Sequence, residues 1–436
     1  MIPRMAASPA PLSTRKQRVA WCFYDFGNSA FPTIIITALY VIYFKQAVIP
    51  QAYPEASLAE RSGQGDWLWG LTNAIGSLLI FGSAPLLGAI ADCTGRKRLF
   101  LRLFSLLCVS GTLLLGLAGA SHLALVMLGL ILAIVGFEGA LVFYNSFLPE
   151  LVPAAKIPRL SALAWAFGYI GGIGCLLVVL PLVLGREGDE ALQGIAMVPF
   201  FVAGWFLLFT LPALLLLQDR CQGPRPPMRA SLGMGLQDLK ASLAEFRREP
   251  RFLRFLLAFF LYNNGVLAVI VFAAAFTTQT LEFSATESLL LIVVLNVVAA
   301  PGAYLFGLRA EKHGAKRSIL ETLLLWILVC AGVWLCAQEQ WFDAQTGTLI
   351  FWPMAVLASL VIGATQATSR SFVGELAPEG QSAQYYGMMA FSGKGSAILG
   401  PLLFGAVSAG AGQGWAVASL SILFAAGALV LRGVRE

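Results

Sequence analysis

Twelve stretches of about twenty mostly apolar residues run through this chain of 436 residues, six on each side of one long charged segment. An α-helix needs about twenty apolar residues to cross the roughly 30 Å hydrocarbon core of a bilayer. The chain is 58% hydrophobic and 12% charged, whereas about a quarter of the residues in a soluble domain are charged. The sequence therefore predicts an all-α integral membrane protein with twelve transmembrane helices.

The predicted spans divide the chain into three parts. The N-terminal six-helix half covers residues 1–218, a cytoplasmic linker covers 219–251, and the C-terminal six-helix half covers 252–436. The first eighteen residues are polar and lack the apolar core of a cleavable signal peptide, so the first span is expected to direct its own insertion. The spans are predicted at residues 19–44, 67–91, 99–119, 122–150, 160–184, 192–217, 252–278, 286–310, 318–337, 349–373, 385–408 and 415–431.

Basic residues lie mainly at the N-terminus and in alternate connections between the spans. The opposite connections contain only Lys45, Arg61 and Arg186. By the positive-inside rule, both termini are expected in the cytoplasm, with the protein in an inner or plasma membrane. The net charge of +6 is thus spread over short loops and forms no basic face with interleaved aromatic residues, which excludes nucleic acid as a partner.

The linker contains an amphipathic pattern. Its apolar residues recur at spacings of three and four, at Leu232, Leu236, Leu239, Leu243 and Phe246. This spacing places them on one face of a helix, with Asp238, Lys240 and Arg247 turned away from that face. The sequence predicts a helix that lies at the membrane interface.

Three landmarks occur in the same order in both halves. The segment GAIADCTGRKR after the second span matches GLRAEKHGAKR after the eighth at a shift of 219 residues, and NSFLPELVP matches RSFVGELAP at a shift of 225. The Tyr-Asp-Phe-Gly at 24–27 also matches the Tyr-Asn-Asn-Gly at 262–265. Two parallel repeats of six helices are the architecture of the major facilitator superfamily, and the segment at 88–98 resembles its signature. The predicted fold is therefore the major facilitator fold.

Residues of the two repeated loops are expected to gate the cytoplasmic side. Glycines allow close helix packing, an acid caps a neighbouring helix end, and the basic residues keep the loop cytoplasmic. The expected gating residues are Gly88, Asp92, Gly95, Arg96 and Arg98 in the first loop and Gly307, Glu311, Gly314 and Arg317 in the second.

Four stretches resemble one branch of the superfamily. Residues 21–31, 144–151, 262–265 and 369–401 are similar to the vacuole-effluxer-like family, whose fungal members release amino acids from the vacuole. This resemblance implies a transporter of amino acids. The chain departs from the family pattern at Asn264, where an acid is expected after Tyr-Asn, so a role for that carboxylate does not carry over to this position.

Four charged residues are predicted to be buried within the membrane: Asp25, Glu138, Arg370 and Lys394. Ionisable groups inside a bilayer mark substrate or ion pathways. Lys394 lies near the predicted midplane, either as a counter-charge for a substrate carboxylate or in a permanent ion pair with Glu138 or Asp25. Asp25 either exchanges protons or makes a structural hydrogen bond, and Glu138 is the competing proton site. Arg370 is close enough to the cytoplasm to extend toward it or to pair with Glu375.

Uncharged polar residues on inner helices complete the expected substrate or proton pathway. Each of them could instead bind a neighbouring helix, which is the common role of such residues in membrane bundles. They are Asn28, Asn145, Tyr169, Asn263, Asn264 and Gln366.

Catalytic and metal-binding motifs are absent from the sequence. It contains no serine, histidine and aspartate at informative spacing, no phosphate-binding glycine-rich loop and no cysteine–histidine cluster. No enzyme activity, metal or cofactor is expected. The sequence predicts a monomeric secondary transporter of a small polar or zwitterionic metabolite, coupled to protons and surrounded by membrane lipids. The alternatives are a lipid or amphiphile flippase and a non-transporting membrane sensor on the same fold.

Overall fold

The computed structural model describes residues 13–220, 228–248, 250–281, 283–338, 341–396 and 399–434. Within these ranges the chain is almost entirely helical and contains no strand, which confirms the all-α prediction. The first twelve residues, on which the expectation of no signal peptide partly rests, lie outside the described residues.

Twelve helical segments in the described ranges are long and apolar enough to cross a membrane, which confirms the predicted number of spans. Large apolar side chains such as Leu78, Leu208, Leu402 and Ile422 are exposed along them, as contact with lipid requires. The α-helices are α1 (Arg15–Asn28), α2 (Tyr40–Tyr43), α3 (Ile49–Ala52), α4 (Leu58–Thr94), α5 (Lys97–Ala118), α6 (Leu123–Ser146), α7 (Leu148–Leu151), α8 (Ile157–Val179), α9 (Gly188–Leu216), α10 (Met228–Arg248), α11 (Arg251–Gln279), α12 (Ala285–His313), α13 (Ala315–Cys336), α14 (Ala344–Leu376), α15 (Ser382–Gly395), α16 (Leu399–Ala411) and α17 (Gln413–Arg432).

The first span departs from a regular α-helix. After α1, the chain forms π-helical segments at Phe31–Ala38 and Phe44–Val48, and the span continues to Ala52. Pro32 lies at the start of the first π-helical segment, where its ring removes one N–H group from the helical ladder. Short π-helical segments within helices are frequent at functional sites, and this one begins directly after the polar end of α1.

The described residues form two units by their contacts. One contains the described parts of Met1–Ile157, Gly171–Lys240 and Ala377–Gly387, and the other contains those of Pro158–Ile170, Ala241–Leu376 and Met388–Glu436. The start of α8 therefore packs with helices of the C-terminal half, and the start of α15 packs with helices of the N-terminal half. The division at residues 218 and 252 rests on the sequence repeat and stays a prediction.

Small residues allow the helices within each unit to pack closely. In the first unit, a Cβ on Gly136 of α6 would lie less than 3.0 Å from the backbone of Cys108 in α5. In the second unit, a Cβ on Gly302 of α12 would come equally close to the backbone of Leu360 in α14. Such contacts are the main source of helix association in lipid, where the hydrophobic effect between helices is absent.

The predicted linker contains one helix among its described residues, α10. Gly235 and Ser242 on one edge of it are buried and Asp238 on the same edge is half-buried, whereas the predicted apolar face at Leu232 and Leu236 is exposed. The helix therefore contacts the protein mainly through its small and polar residues, and of its predicted apolar face only Leu239 is half-buried among the described residues. The side chains of Phe246 and Arg247 lie outside the described residues.

Candidate functional site

Asp92 lies in the last turn of α4 and caps the first turn of α15. Its carboxylate accepts hydrogen bonds from the main-chain N–H groups of Ala383 (3.2 Å) and Gln384 (2.8 Å). A carboxylate at a helix N-terminus satisfies otherwise unpaired N–H groups and opposes the positive end of the helix dipole. The first loop was expected to cap a neighbouring helix end. In the structure that helix end is the start of α15, and Ala383 lies 291 residues after Asp92.

Gly88, one turn before Asp92, allows this contact. A Cβ on Gly88 would lie less than 3.0 Å from the carbonyl of Ala383, and Gly387 of α15 has the same relation to the carbonyl of Ala84. The two backbones approach more closely than residues with side chains would permit. Gly95 ends α4 at a φ of 61°, a left-handed conformation that glycine adopts without strain.

Lys97, at the start of α5, is the centre of a buried charged cluster. Its ammonium donates hydrogen bonds to Glu150 (2.6 Å) and to the Ser382 hydroxyl (2.6 Å), and it lies 3.2 Å from Asp92. The Ser382 hydroxyl donates to the carbonyl of Ser146 (2.8 Å). Lys97 is 5% exposed, and a cation is tolerated at such burial when it is paired and hydrogen-bonded. We call Asp92, Lys97, Glu150 and Ser382 the charged latch.

The two arginines predicted as gating residues of the first loop lie beside the charged latch. Arg96 is half-buried and precedes α5. Arg98 binds the end of α9: its Nε donates to the carbonyl of Leu214 (3.2 Å), and a second guanidinium N–H donates to the carbonyl of Leu215. A cation at these last carbonyls stabilises the negative end of the helix dipole.

Three members of the charged latch were not among the predicted site residues. Lys97 and Glu150 recur in the sequence repeats as Lys316 and Glu375, and this recurrence was the available signal. Ser382 has no such mark in the sequence. Its contribution depends on the fold, which brings the start of α15 against α4 and α5.

The glycines of the second loop repeat the geometry of the first. A Cβ on Gly307 in α12 would lie less than 3.0 Å from the Cβ of Ala162 in α8. Gly314 ends α12 at a φ of 90°. Close approach to a neighbouring helix and a glycine at the helix end are thus common to both loops.

The charged residues of the second loop are arranged differently. Glu311 lies 4.0 Å from Arg159, and its side chain is 25% exposed, whereas the side chain of Asp92 is 1% exposed. Arg317 pairs with Glu321 (3.4 Å) along α13. Of these two loop acids, Asp92 is buried against a helix N-terminus and Glu311 forms a partly solvated ion pair, which contributes little to stability.

Arg370 of α14 is buried inside the second unit at 4% exposure. Its Nε donates to the Ser161 hydroxyl (2.9 Å), and its Nη2 donates to the Ser161 carbonyl (2.5 Å). The guanidinium carbon lies 5.5 Å from the centre of the Trp165 ring, within the range of a cation–π interaction. The guanidinium is therefore held against α8 and does not extend to the aqueous surface.

Asn263 joins three helices of the second unit. Its Nδ2 donates to the Ser396 hydroxyl (2.5 Å), and its Oδ1 accepts from Nε2 of Gln366 (3.1 Å). Ser396 directly follows α15, and Lys394 lies half-buried in the last turn of that helix. The fold thus brings Asn263 and Gln366 together, and their network fixes the segment next to Lys394.

Asn264 binds the start of α16. Its Oδ1 accepts from the N–H of Gly400 (2.8 Å), and its Nδ2 donates to the carbonyl of Phe260 (2.7 Å). A Cβ on Gly400 would lie less than 3.0 Å from the Asn264 carbonyl. Asn264 therefore holds the first turn of α16, the second described part of the eleventh span.

We expect Asn264→Ala to loosen the start of α16. The variant removes the acceptor of the Gly400 N–H, and a lost helix cap costs about 1 kcal/mol. Amide hydrogen exchange of residues 399–404 should therefore be about fivefold faster than in the wild type. Asn264→Asp is the matched control, because it keeps the acceptor oxygen. Unchanged exchange in Asn264→Ala would contradict the capping role.

Asp25 and Asn28 are buried in α1, at 6% and 3% exposure. The Nδ2 group of Asn28 has no hydrogen-bond partner among the described residues, and Pro32, one turn later, has no N–H to donate to the Asn28 carbonyl. Unpaired buried donors are rare, and they mark places where water or a ligand can bind. Glu138 and Asn145 of α6 are half-buried in the same unit.

Tyr169 of α8 lines a cavity of about 300 Å³ inside the second unit. The other walls come from α11, α12, α13, α14, α16 and α17, and Asn296 is the one lining residue with an amide side chain. A cavity of this volume is large enough for a small ligand. Its lining favours an apolar occupant, and the Tyr169 ring lies 5.9 Å from the Trp165 ring that Arg370 contacts.

Comparison with protein families matches this chain to one family model. The model described as "Vacuole effluxer Atg22 like" matches residues 69–159 and 154–435. A Bacillus subtilis protein described as an uncharacterized MFS-type transporter, YxiO, is 28% identical over 426 residues, which cover 97% of this chain and 95% of that protein. Autophagy-related protein 22-1 of Neosartorya fischeri is 26% identical over 268 residues, which cover 57% of this chain and 43% of the fungal protein.

Solved structures with the same arrangement of helices are transporters. The human organic anion transporter MFSD10 superposes with a TM-score of 0.73 at 17% identity, covering 96% of this chain and all of that chain. The proton:xylose symporter XylE superposes with a TM-score of 0.73 at 12% identity, covering 97% of this chain and 96% of that chain. At these identities the likeness shows the fold alone, and it confirms the predicted major facilitator fold.

Proposed function

Because the chain belongs to the Vacuole effluxer Atg22-like family, we propose that it is a secondary active transporter of small polar or zwitterionic metabolites, with amino acids as the first candidates. It moves them across the inner or plasma membrane by alternating access, coupled to protons. The amino-acid assignment follows the family resemblance. The coupling follows from carboxylates within the spans, and the structurally similar XylE is a proton symporter.

The charged latch carries this proposal. A buried ion pair loses about as much hydration on burial as it gains in attraction, so its net contribution to stability is small. When α15 separates from α4, water can solvate Asp92, Lys97 and Glu150 again. A contact of this kind opens and closes at low net cost, which is what alternating access demands of groups that seal one side.

Charges of both signs within the spans support a zwitterionic substrate. Asp25 and Glu138 lie in α1 and α6, and Arg370 and Lys394 lie in α14 and α15. Carboxylates of this kind bind a substrate ammonium, and the cations bind a substrate carboxylate. The unpaired Nδ2 of Asn28 adds a donor for a carboxylate or carbonyl oxygen.

Uptake into proteoliposomes tests the proposal. A mixed pool of labelled amino acids should accumulate when a proton gradient is imposed and should only equilibrate without it. Asp25→Asn and Glu138→Gln each remove a proton site with little change in shape, and the one that abolishes accumulation but keeps substrate exchange identifies the coupling residue. No accumulation of any amino acid by folded, inserted protein would contradict the substrate assignment.

A lipid or another amphiphile is the second candidate substrate, favoured by the apolar cavity beside Tyr169. Thermal unfolding of the purified protein distinguishes the two, because a ligand that binds the folded state raises the apparent unfolding temperature. Stabilisation by water-soluble amino acids supports the first candidate. Stabilisation by phospholipids alone supports the second.

A further inference from the structure

The linker helix α10 exposes a stripe of leucines. Leu232, Leu236 and Leu243 are 54%, 42% and 39% exposed. They are four and seven residues apart, so they lie on one face of the helix. We call these three residues the leucine stripe. Leucines in the core of a soluble protein are mostly buried, so these exposures are unusually high for leucine.

The position of α10 places this stripe at a membrane surface. A Cβ on Gly235 would lie less than 3.0 Å from the side chain of Ile90, which is one turn before the last residue of α4. The second apolar span is predicted to end at Ala91, so Ile90 lies near the predicted boundary between hydrocarbon and water. Ser242, seven residues after Gly235, is buried on the same edge of α10. The edge with Gly235 and Ser242 is thus fastened to the protein, and the leucine stripe lies beside that edge.

The charges of α10 are separated in a way that suits anionic headgroups. Lys240 is exposed and falls on the flank of the leucine stripe away from the fastened edge, which we call the basic flank. Asp238 is half-buried and falls on the fastened side. An apolar stripe with a basic flank is the pattern of helices that lie in the interface of an anionic bilayer.

We propose that α10 is a lipid-binding helix: the leucine stripe inserts at the boundary of headgroups and acyl chains, and the basic flank binds anionic phospholipid headgroups. Ile90 lies two residues before Asp92, so the lipid-bound helix also holds the turn of α4 that carries the charged latch. This proposal depends on the fold and not on the identity of any transported substrate.

Photo-cross-linking in the full-length protein tests the proposal. Benzoylphenylalanine replaces Leu236 in one variant and the neighbouring exposed Gln237 in the matched control. Both are reconstituted into vesicles of phosphatidylcholine alone and of phosphatidylcholine with phosphatidylglycerol, and lipid adducts are measured by mass spectrometry. We expect about tenfold more lipid adduct at position 236 than at 237, and more adduct when phosphatidylglycerol is present.

Removal of one basic residue tests the headgroup contact. Lys240→Gln should reduce the gain from phosphatidylglycerol and leave the adduct in phosphatidylcholine unchanged. Equal lipid labelling at 236 and 237, or adducts to another polypeptide in place of lipid, would overturn the proposal. If the photoreactive variant is not recovered, Leu236→Trp measures the same contact through quenching of its added fluorescence by brominated phosphatidylcholine, and no added quenching relative to Gln237→Trp would overturn it.

Discussion

Lys394→Ala is expected to abolish the gradient-driven accumulation of amino acids in proteoliposomes while leaving the protein folded. Lys394 lies half-buried in the last turn of α15, beside the segment that Asn263 fixes through Ser396. Removing one partner of a buried, hydrogen-bonded charge pair costs about 2–5 kcal/mol. Substrate affinity should therefore fall on the order of 100-fold, measured by uptake and by the rise in unfolding temperature with added substrate.

Lys394→Arg is the control for this prediction, because it keeps the positive charge and should keep part of the uptake. If Lys394 belongs to a permanent ion pair within the protein, the alanine variant leaves a buried carboxylate unpaired and lowers the unfolding temperature in the absence of substrate. A stable Lys394→Ala variant with unchanged affinity would rule out the role in substrate binding.

The number of spans could be predicted because each span must be apolar over a length that the bilayer sets. The ends of the helices could not be predicted in the same way, because helices continue beyond the hydrocarbon core with polar residues. The second span was predicted to begin at Trp67, yet α4 begins at Leu58, where Ser57 and Glu60 form a reciprocal capping box. A hydropathy pattern does not detect these polar helical turns, whereas the capping-box sequence marks where the helix begins.

The candidate site could be predicted only in part. The repeat made Asp92 and Glu311 equivalent, but Asp92 is buried against α15 and Glu311 is a partly solvated partner of Arg159. Residues 96–98 are all basic, and the residue at which α5 begins decides which of them faces the protein interior. The sequence could therefore not distinguish Lys97 from its neighbours. Ser382 binds Lys97 across 285 residues of sequence, and no local pattern relates the two.

Gly88→Ala is expected to disrupt the charged latch and to reduce transport by at least about tenfold. The added Cβ would lie less than 3.0 Å from the Ala383 carbonyl. That carbonyl belongs to the backbone and cannot rotate away, so α15 must move. Gly82→Ala is the matched control on the same helix: nothing lies within 4 Å of its Cβ position, and alanine favours the helix there. Equal transport by the two variants would contradict a gating role for this contact.

Removal of charge should act through the same contact, and amide hydrogen exchange at Ala383 and Gln384 reports it directly. Asp92→Asn keeps an acceptor oxygen for one of these N–H groups only, and it loses the charge that opposes the helix dipole. Lys97→Met leaves the carboxylates of Asp92 and Glu150 without their shared cation, and an uncompensated buried charge costs about 3–5 kcal/mol. Exchange should therefore be fastest in Lys97→Met, intermediate in Asp92→Asn and slowest in the wild type. Wild-type exchange in both charge variants, with faster exchange in Gly88→Ala, would show that close packing and not charge holds α15 in place. The low net energy of the ion pairs would then no longer explain how the contact opens.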